Sequence, residues 1–169
     1  MEKLKSMLYR LYHLRLKTVL PTWFYVRPMT KFMRLMKRDT FIGVEVGVSR
    51  GFNSLSMLRY LPVSKLYLVD TGFVNPIKKL MDYNIRLIEK PSVEASKVFP
   101  DEYLDFVYID ASHEQKDVED DIRVWYPKVK PGGIVGGHDF DKVGVHDAVL
   151  GFVKDNSYFS SKRDWWFVK

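Results

Sequence analysis

The sequence predicts an α/β fold built on a doubly wound, mainly parallel sheet. Short apolar runs of strand length alternate with segments of helical periodicity from residue 41 onward. Three of these runs end directly in polar turns: VEVGVSRGFNS at 44–54, VYIDASHE at 107–114 and GGIVGGHDF at 132–140. The carboxyl ends of parallel strands share one edge of a sheet, where ligands bind. The sequence therefore predicts one cleft at that edge.

The elements follow in the order expected for parallel strands joined by helices. The helix at 114–126 has the clearest pattern, with Val118, Ile122 and Trp125 on one face. KPGG at 130–133 is expected to be a turn. Strands are predicted at 41–46, 65–69, 85–88, 104–109, 133–137 and 165–168, and helices at 53–60, 77–82, 92–98, 114–126 and 145–153.

Residues 1–39 form a basic segment ahead of a domain expected at residues 40–169. Residues 1–38 carry ten Lys and Arg against one Glu, a net charge of +9, whereas the rest of the chain has a net charge of −3. Helical spacing predicts basic helices at 3–20 and 31–37. Such a segment could pack on the sheet, lie at a membrane surface, or contact nucleic acid.

Composition excludes several classes of protein. Cysteine is absent, so neither disulfides nor a cysteine-ligated zinc site can form, and we expect a cytoplasmic location, with a peripheral membrane location as the alternative. The uncharged stretch 18–26 is too short to cross a bilayer, and no export signal is expected. A Gly-x-Ser-x-Gly elbow and a P-loop lysine are both missing, which argues against hydrolase chemistry and a P-loop phosphate site.

The turn after the first strand has features of a cofactor-binding turn. Glu45 is followed by Gly47 and Gly51, and glycines let a backbone bend tightly and approach a ligand closely. Asp70 ends the second strand, where an acid can accept hydrogen bonds from ribose hydroxyls. Glycines also occur in strand-to-helix turns without a ligand, but together with Asp70 they favour a nucleoside-containing cofactor.

These motifs resemble those of class I S-adenosylmethionine-dependent methyltransferases. The resemblance covers residues 40–155 and rests on the segment 44–51, Asp70 and the KPGG before the fifth strand. The ID-x-x-H pattern, followed by a helix and a later HD, is similar to small-molecule O-methyltransferases related to catechol and macrolide-sugar methyltransferases. This resemblance implies a Rossmann-like methyltransferase fold, S-adenosylmethionine as cofactor, and methylation of a hydroxyl on a sugar or phenol.

The resemblance also implies roles for individual residues. Asn53 would bond the carboxylate of the cofactor, Asp70 its ribose, and Ser92 would lie near its adenine. Ser92 could instead be the N-cap of the following helix. The residues expected around the methionine part are Glu45, Gly47, Ser49 and Gly51.

A second group of ionisable residues follows the fourth and fifth strands: Asp110, His113, His138 and Asp139. If these strands are neighbours, the side chains should converge beside the cofactor. Asp110 and Asp139 suit a divalent cation such as Mg²⁺, and His138 as a third ligand would favour Mn²⁺, Fe²⁺ or Zn²⁺. His113 and Asp110 are the expected catalytic residues, with His113 taking the hydroxyl proton.

Several alternatives remain at this site. The catechol-type pattern has Asp-Asn where this chain has Asp139-Phe140, so one oxygen ligand is missing and the site could work without a metal. Asp110 would then orient His113 as a base, or could simply cap the helix near Glu114. A non-catalytic adaptor and a nucleic-acid methyltransferase are the rival functions. The chain is short, so the cleft is expected to be open or completed by a second subunit in a homo-oligomer.

Overall fold

The computed structural model describes residues 26–73, 80–154 and 157–169. The predicted helix at 3–20, and residues 77–79 of the one predicted at 77–82, lie outside these residues. Within the described ranges, no helix combines the length and apolar character needed to cross a membrane. The strands are β1 Phe41–Val46, β2 Val63–Asp70, β3 Ile85–Glu89, β4 Leu104–Ile109, β5 Val129–Gly137, β6 Phe159–Ser161 and β7 Asp164–Val168. The α-helices are α1 Pro28–Leu35, α2 Phe52–Tyr60, α3 Ser92–Ser96, α4 Gln115–Trp125 and α5 Val143–Val153.

The strands form one sheet in the order β3-β2-β1-β4-β5-β7-β6. Strands β1 to β5 are parallel, and β7 and β6 add an antiparallel edge. The order reverses between β1 and β4, where Val46 lies opposite Ile109. This reversal is the switch point at which open α/β sheets bind ligands. The predicted doubly wound, mainly parallel fold is confirmed.

Helices pack on both faces of the sheet. On one face, Ile122 and Trp125 of α4 are buried among residues of α5. On the other face, Met29 and Met33 of α1 are fully buried beside Trp166. Residues of the basic segment therefore contribute to the domain core, as expected if that segment packs on the sheet.

Helix α1 begins three residues earlier than predicted. Pro28 occupies the first turn of α1, where the fixed φ of proline suits a helix. The inward face of α1 is formed by Met29 and Met33, which are buried, whereas Phe32 and Met36 are only partly buried.

The KPGG segment is also different from the prediction. It belongs to β5 and is not a separate turn. Gly132 has a φ of +72°, and the register with β4 shifts between Leu104 and Phe106, as in a β-bulge. Strand β6 was not predicted, because it is only three residues long and largely polar. The other predicted strands and helices within the described residues are confirmed, with ends shifted by at most two residues.

Candidate active site

The turn after β1 is tightly packed against the end of β4. Gly47 has a φ of +81°, and a Cβ added there would lie 2.1 Å from the carbonyl oxygen of Asp110. A side chain at this position would therefore be both strained and blocked. Gly51, with a φ of +70°, is the N-cap of α2, so the turn leads directly into a helix N-terminus.

Asp70 holds this turn in place. One carboxylate oxygen accepts hydrogen bonds from the backbone N–H groups of Val48 at 2.8 Å and Ser49 at 3.1 Å. The other oxygen accepts a long bond of 3.3 Å from Gly72 N–H. A carboxylate can accept about four hydrogen bonds, so Asp70 retains capacity for a ligand hydroxyl.

A cleft of about 440 Å³ opens at the carboxyl ends of β1, β2 and β4. This volume lies within the range of small-molecule sites. The predicted site residues that line it are Gly47, Ser49, Asp70, Ser92 and Asp110. The structure therefore brings residues of four separate segments into one cavity.

Glu45 and Asn53 lie behind this cleft and do not line it. The Glu45 carboxylate is buried and accepts hydrogen bonds from Ser54 Oγ and, at 2.9 Å, from Asn53 Nδ2. Burial raises the pKa of Glu45 to about 7 despite these bonds. One of the two N–H donors of the Asn53 amide, the group expected to bond the cofactor carboxylate, is thus used by Glu45. The other amide atom, Oδ1, is buried without a hydrogen-bond partner and can only accept.

Ser92 is the first residue of α3. The N-cap position belongs to Pro91 and has no side-chain cap, so the alternative role of Ser92 as an N-cap is wrong. Its hydroxyl oxygen accepts a hydrogen bond of 2.8 Å from the indole N–H of Trp125. Ser92 therefore connects the cleft with α4.

The ionisable side chains that follow β4 and β5 lie close together. Side-chain ligand atoms of Asp110, His138 and Asp139 all lie within 4.8 Å of one another. His138 Nδ1 is 3.2 Å from an oxygen of Asp139 and 3.7 Å from an oxygen of Asp110. The predicted metal-ligand set is therefore also a spatial cluster.

His113 pairs with Asp139. Its Nε2 atom is 2.7 Å from an oxygen of Asp139, whose side chain is 8% exposed against 50% for His113. The expected orienting role of Asp110 is thus wrong in this geometry, because Asp110 instead contacts Arg27. Asp110 also does not cap α4, whose N-cap is Glu114 without a side-chain cap bond.

Arg27 and Asp164 complete the acidic side of the site, which also contains Asp110, His113, His138 and Asp139; neither of the two is predicted by the sequence pattern. The Arg27 guanidinium lies 3.3 Å from an oxygen of Asp110 and 3.7 Å from an oxygen of Asp164. Asp164 is buried and accepts hydrogen bonds from Tyr108 Oη at 2.9 Å and Met29 N–H at 3.1 Å. An acid directly before the apolar run WWFV was a usable signal for Asp164, whereas nothing in the sequence links Arg27 to Asp110.

Burial dominates the electrostatics of this side. It raises the pKa of Asp110 to about 6, and the negative charges of Asp139 and Asp164 act in the same direction, against Arg27. Burial similarly raises the pKa of Asp164 to about 6. The pKa of His138 is lowered by burial and then by Arg27, which favours the neutral imidazole that binds metals.

Asp139 stays ionised more readily than its neighbours. Although burial acts to raise its pKa, His138, His113 and Arg163 together lower it below the usual value. Arg163 hydrogen-bonds Asp139 and, at 2.9 Å, Asp141. The predicted cluster is thus flanked by two guanidinium groups that were not anticipated.

Comparison with known proteins identifies the family. A family of methyltransferase domains matches residues 44–140, more than half of the chain. The chain belongs to this methyltransferase family. The match runs from β1 to the residue after Asp139, and the prediction of a class I S-adenosylmethionine-dependent methyltransferase is confirmed. No curated protein matches the chain at a significant level.

Solved structures share the fold at low sequence identity. The MycE methyltransferase of mycinamycin biosynthesis, in complex with Mg, SAH and mycinamycin VI, is 18% identical with a TM-score of 0.64, covering 95% of this chain and 53% of that one. A putative caffeoyl-CoA O-methyltransferase from Staphylococcus aureus is 15% identical with a TM-score of 0.63, and the match covers 95% of this chain and 89% of that one. An rRNA methylase from Streptococcus thermophilus is 16% identical with a TM-score of 0.63, and the match covers 83% of this chain and 93% of that one. The chain thus spans about half the length of MycE.

Proposed function

We propose that the chain transfers a methyl group from S-adenosylmethionine to a hydroxyl of a small molecule, such as a sugar or a phenol. The observation that carries this proposal is the position of Asp110, which lines the cleft and also belongs to the acidic cluster. A cofactor bound in the cleft and an acceptor bound at the cluster would therefore both lie next to Asp110. Such proximity is what group transfer between two bound molecules requires.

The cofactor side would hold S-adenosylmethionine through groups already in place. Asp70 has acceptor capacity for ribose hydroxyls, and the N-terminus of α2 at Gly51 presents N–H groups suited to an anionic end. When bound, the cofactor supplies a methyl group on a sulfonium that becomes a neutral thioether as the carbon–sulfur bond breaks.

On the acceptor side, we assign the general base to His113. If Nε2–H donates to Asp139, the other ring nitrogen, Nδ1, is unprotonated and can take the proton of the acceptor hydroxyl. The Asp139 carboxylate would then stabilise the imidazolium that forms. General bases contribute roughly 10²–10⁴-fold to rates.

The donor set of Asp110, His138 and Asp139 fits a divalent cation such as Mg²⁺ or Mn²⁺. Ligands at adjacent positions around an ion with bonds of about 2.1 Å lie roughly 3 Å apart, close to the 3.2 Å and 3.7 Å measured here. A bound cation would favour the deprotonated form of a coordinated hydroxyl. The cation would share its carboxylates with Arg27 and Arg163, whose charges already offset those of Asp110 and Asp139. The Mg in the MycE complex supports this assignment.

The cellular setting belongs to the same proposal. We expect a cytoplasmic enzyme whose basic N-terminal segment could contact a membrane surface or nucleic acid. A second subunit in a homo-oligomer could complete the open cleft. Binding of the full chain to anionic liposomes and to RNA, at low and at high salt, separates these partners. Methylation of RNA instead of a small molecule would contradict the proposed acceptor class.

Thermal unfolding with ligands tests the proposal directly. A ligand at ~100 times its dissociation constant stabilises by about 2.7 kcal/mol, which corresponds to a shift of roughly 5–11 °C for a chain of this size. S-adenosylmethionine and S-adenosylhomocysteine should both produce such a shift, and its absence would contradict the cofactor assignment. A further shift with Mg²⁺ or Mn²⁺, lost in Asp110→Ala and Asp139→Ala, would support the metal.

A further inference from the structure

The helices on the two faces of the sheet differ in charge. Helices α1 and α2, which bury Met33 and Met57 against one face, carry three basic residues and no acidic residue, a net charge of +3. Helices α3, α4 and α5, which bury Trp125 and Val149 against the other face, carry two basic and six acidic residues, a net charge of −4. The domain therefore has a basic layer, formed by α1, α2 and the residues that flank them, and an acidic layer, formed by α3, α4 and α5.

Two exposed cations of the basic layer are available to a partner. Arg34 and Lys37, at the end of α1, are both exposed, and neither forms an ion pair with a described residue. By contrast, both basic residues of α4 pair with Asp120 in the acidic layer. Residues 1–25, which precede the basic layer in the chain, add a net charge of +4. The charge of this layer thus complements an anionic partner.

Large apolar side chains are exposed on the same layer. Phe52, the first residue of α2, is 73% exposed, and Met81 is 66% exposed. Both belong to one region, because Leu80 lies against Gly51, where an added Cβ would be 2.8 Å from Leu80 Cδ1. Apolar side chains beside basic ones are typical of proteins that bind the surface of anionic membranes. An aliphatic side chain such as Met81 does not suit RNA, which is recognised by hydrogen bonds and by stacking on aromatic rings.

We propose that the basic layer, together with Phe52 and Met81, binds an anionic membrane surface. Its cations would lie among the lipid phosphate groups, and the two apolar side chains would enter the boundary of the acyl chains. Phe52 follows the turn that lines the cleft, so the cleft would open beside the lipid headgroups. This inference extends the membrane contact expected of the basic segment to α2 and Met81, and it does not depend on the proposed methyl transfer.

Flotation of the full chain with lipid vesicles at low salt tests the inference. Vesicles of phosphatidylcholine with about 30% phosphatidylglycerol should bind the protein, and phosphatidylcholine alone should bind it at least about tenfold more weakly. A Lys or Arg near an anionic surface contributes about fivefold to binding, so Arg34→Gln combined with Lys37→Gln should weaken it roughly 25-fold. The matched control is Lys97→Gln combined with Lys116→Gln, which makes the same charge change at exposed positions in and beside the acidic layer. It should change binding by less than about twofold.

A second pair of variants tests the apolar contact and keeps the test decisive if the double variant does not fold. Met81→Ser should weaken vesicle binding several-fold. Val98→Ser, at a valine next to α3 that is 56% exposed, should leave it unchanged. Circular dichroism shows which variants are folded.

Three results would contradict the inference. The full chain could fail to bind the anionic vesicles, or the variants of the two layers could lose binding equally. RNA could instead bind in place of vesicles, with this binding lost in Arg34→Gln combined with Lys37→Gln, which would identify a nucleic-acid surface. Cofactor binding is measured without lipid, so none of these results bears on the proposed function.

Discussion

The two sides of the candidate active site are built in different ways. On the cofactor side, Asp70 bonds the turn 48–49, and the partners are only 21 and 22 positions apart in sequence. On the acidic side, Arg27 contacts Asp110 from 83 positions away, and Met29 contacts Asp164 from 135 positions away. The cofactor side is thus assembled from neighbouring strand-to-helix turns. The acidic side, in contrast, needs residues of the basic segment and of β7 together.

The largest expected effect separates the two sides by function. His113→Ala removes the proposed base, so turnover should fall roughly 10²–10⁴-fold. Binding of S-adenosylhomocysteine should stay the same, because His113 is not among the residues lining the cleft. Labelled methyl transfer and calorimetry measure the two quantities.

His146→Ala is the matched control for this variant. His146 is similarly half-exposed but pairs with Asp147, at 2.9 Å, and not with the acidic cluster. Its loss should leave both quantities unchanged. Full turnover in His113→Ala would contradict the base assignment, and loss of cofactor binding there would contradict the separation of the two sides.

The same difference explains what the sequence could predict. Gly47, Asp70 and Ser92 follow strands whose positions are visible in the pattern of apolar residues, so their place at the sheet edge follows from the fold class. Asp110 and Asp139 converge for the same reason, since β4 and β5 are neighbours. The contacts of Arg27 depend on how α1 packs against β7, and no periodicity in the sequence specifies that. The pairing of His113 with Asp139 likewise depends on backbone details, including the φ of +57° at Asp139.

The second prediction tests the long-range assembly of the acidic side. In Arg27→Met, Asp110 and buried Asp164 lose a shared cation, which should lower the free energy of unfolding by about 3–5 kcal/mol. Arg27→Lys keeps the positive charge, but a single ammonium replaces the two guanidinium nitrogens that contact Asp110 and Asp164. The free energy of unfolding of this variant should therefore lie between those of Arg27→Met and the unmodified protein. Urea unfolding measures both variants. Arg34→Met, an exposed change on the same helix, should have little effect, and an equal loss there would show that α1 and not the ion pair is responsible.

A pH effect of intermediate size is expected from Glu45, which lies behind the cofactor side. Folded Glu45 keeps its proton up to about pH 7, whereas in the unfolded chain it titrates near 4.5. Between these values the folded state binds more protons, so the free energy of unfolding should fall as pH rises from 4.5 to 7, by roughly 3 kcal/mol. It should then be constant above pH 7 as far as Glu45 is concerned.

Glu45→Gln isolates this contribution from that of Asp110 and Asp164, which act in the same direction. The variant should show a clearly weaker decline of stability with pH than the unmodified protein, when urea unfolding is followed from pH 5 to pH 8. Glu89→Gln, at an exposed position, should keep the full decline. Parallel curves for Glu45→Gln and the unmodified protein would mean that Glu45 is ionised in the folded state.

The smallest expected effect asks which partner holds Asp164 in place. Tyr108→Phe removes one hydrogen bond to Asp164 but leaves Met29 N–H and Arg27, so the carboxylate keeps two partners. The free energy of unfolding should fall by about 1 kcal/mol, less than in Arg27→Met. Because both side chains act on one carboxylate, the losses in the double variant should not add. Additive losses would mean that Tyr108 and Arg27 act on Asp164 independently. A larger loss for Tyr108→Phe than for Arg27→Met would mean that Asp164 is held mainly by the interior of the sheet, and that Arg27 is not what assembles the acidic side.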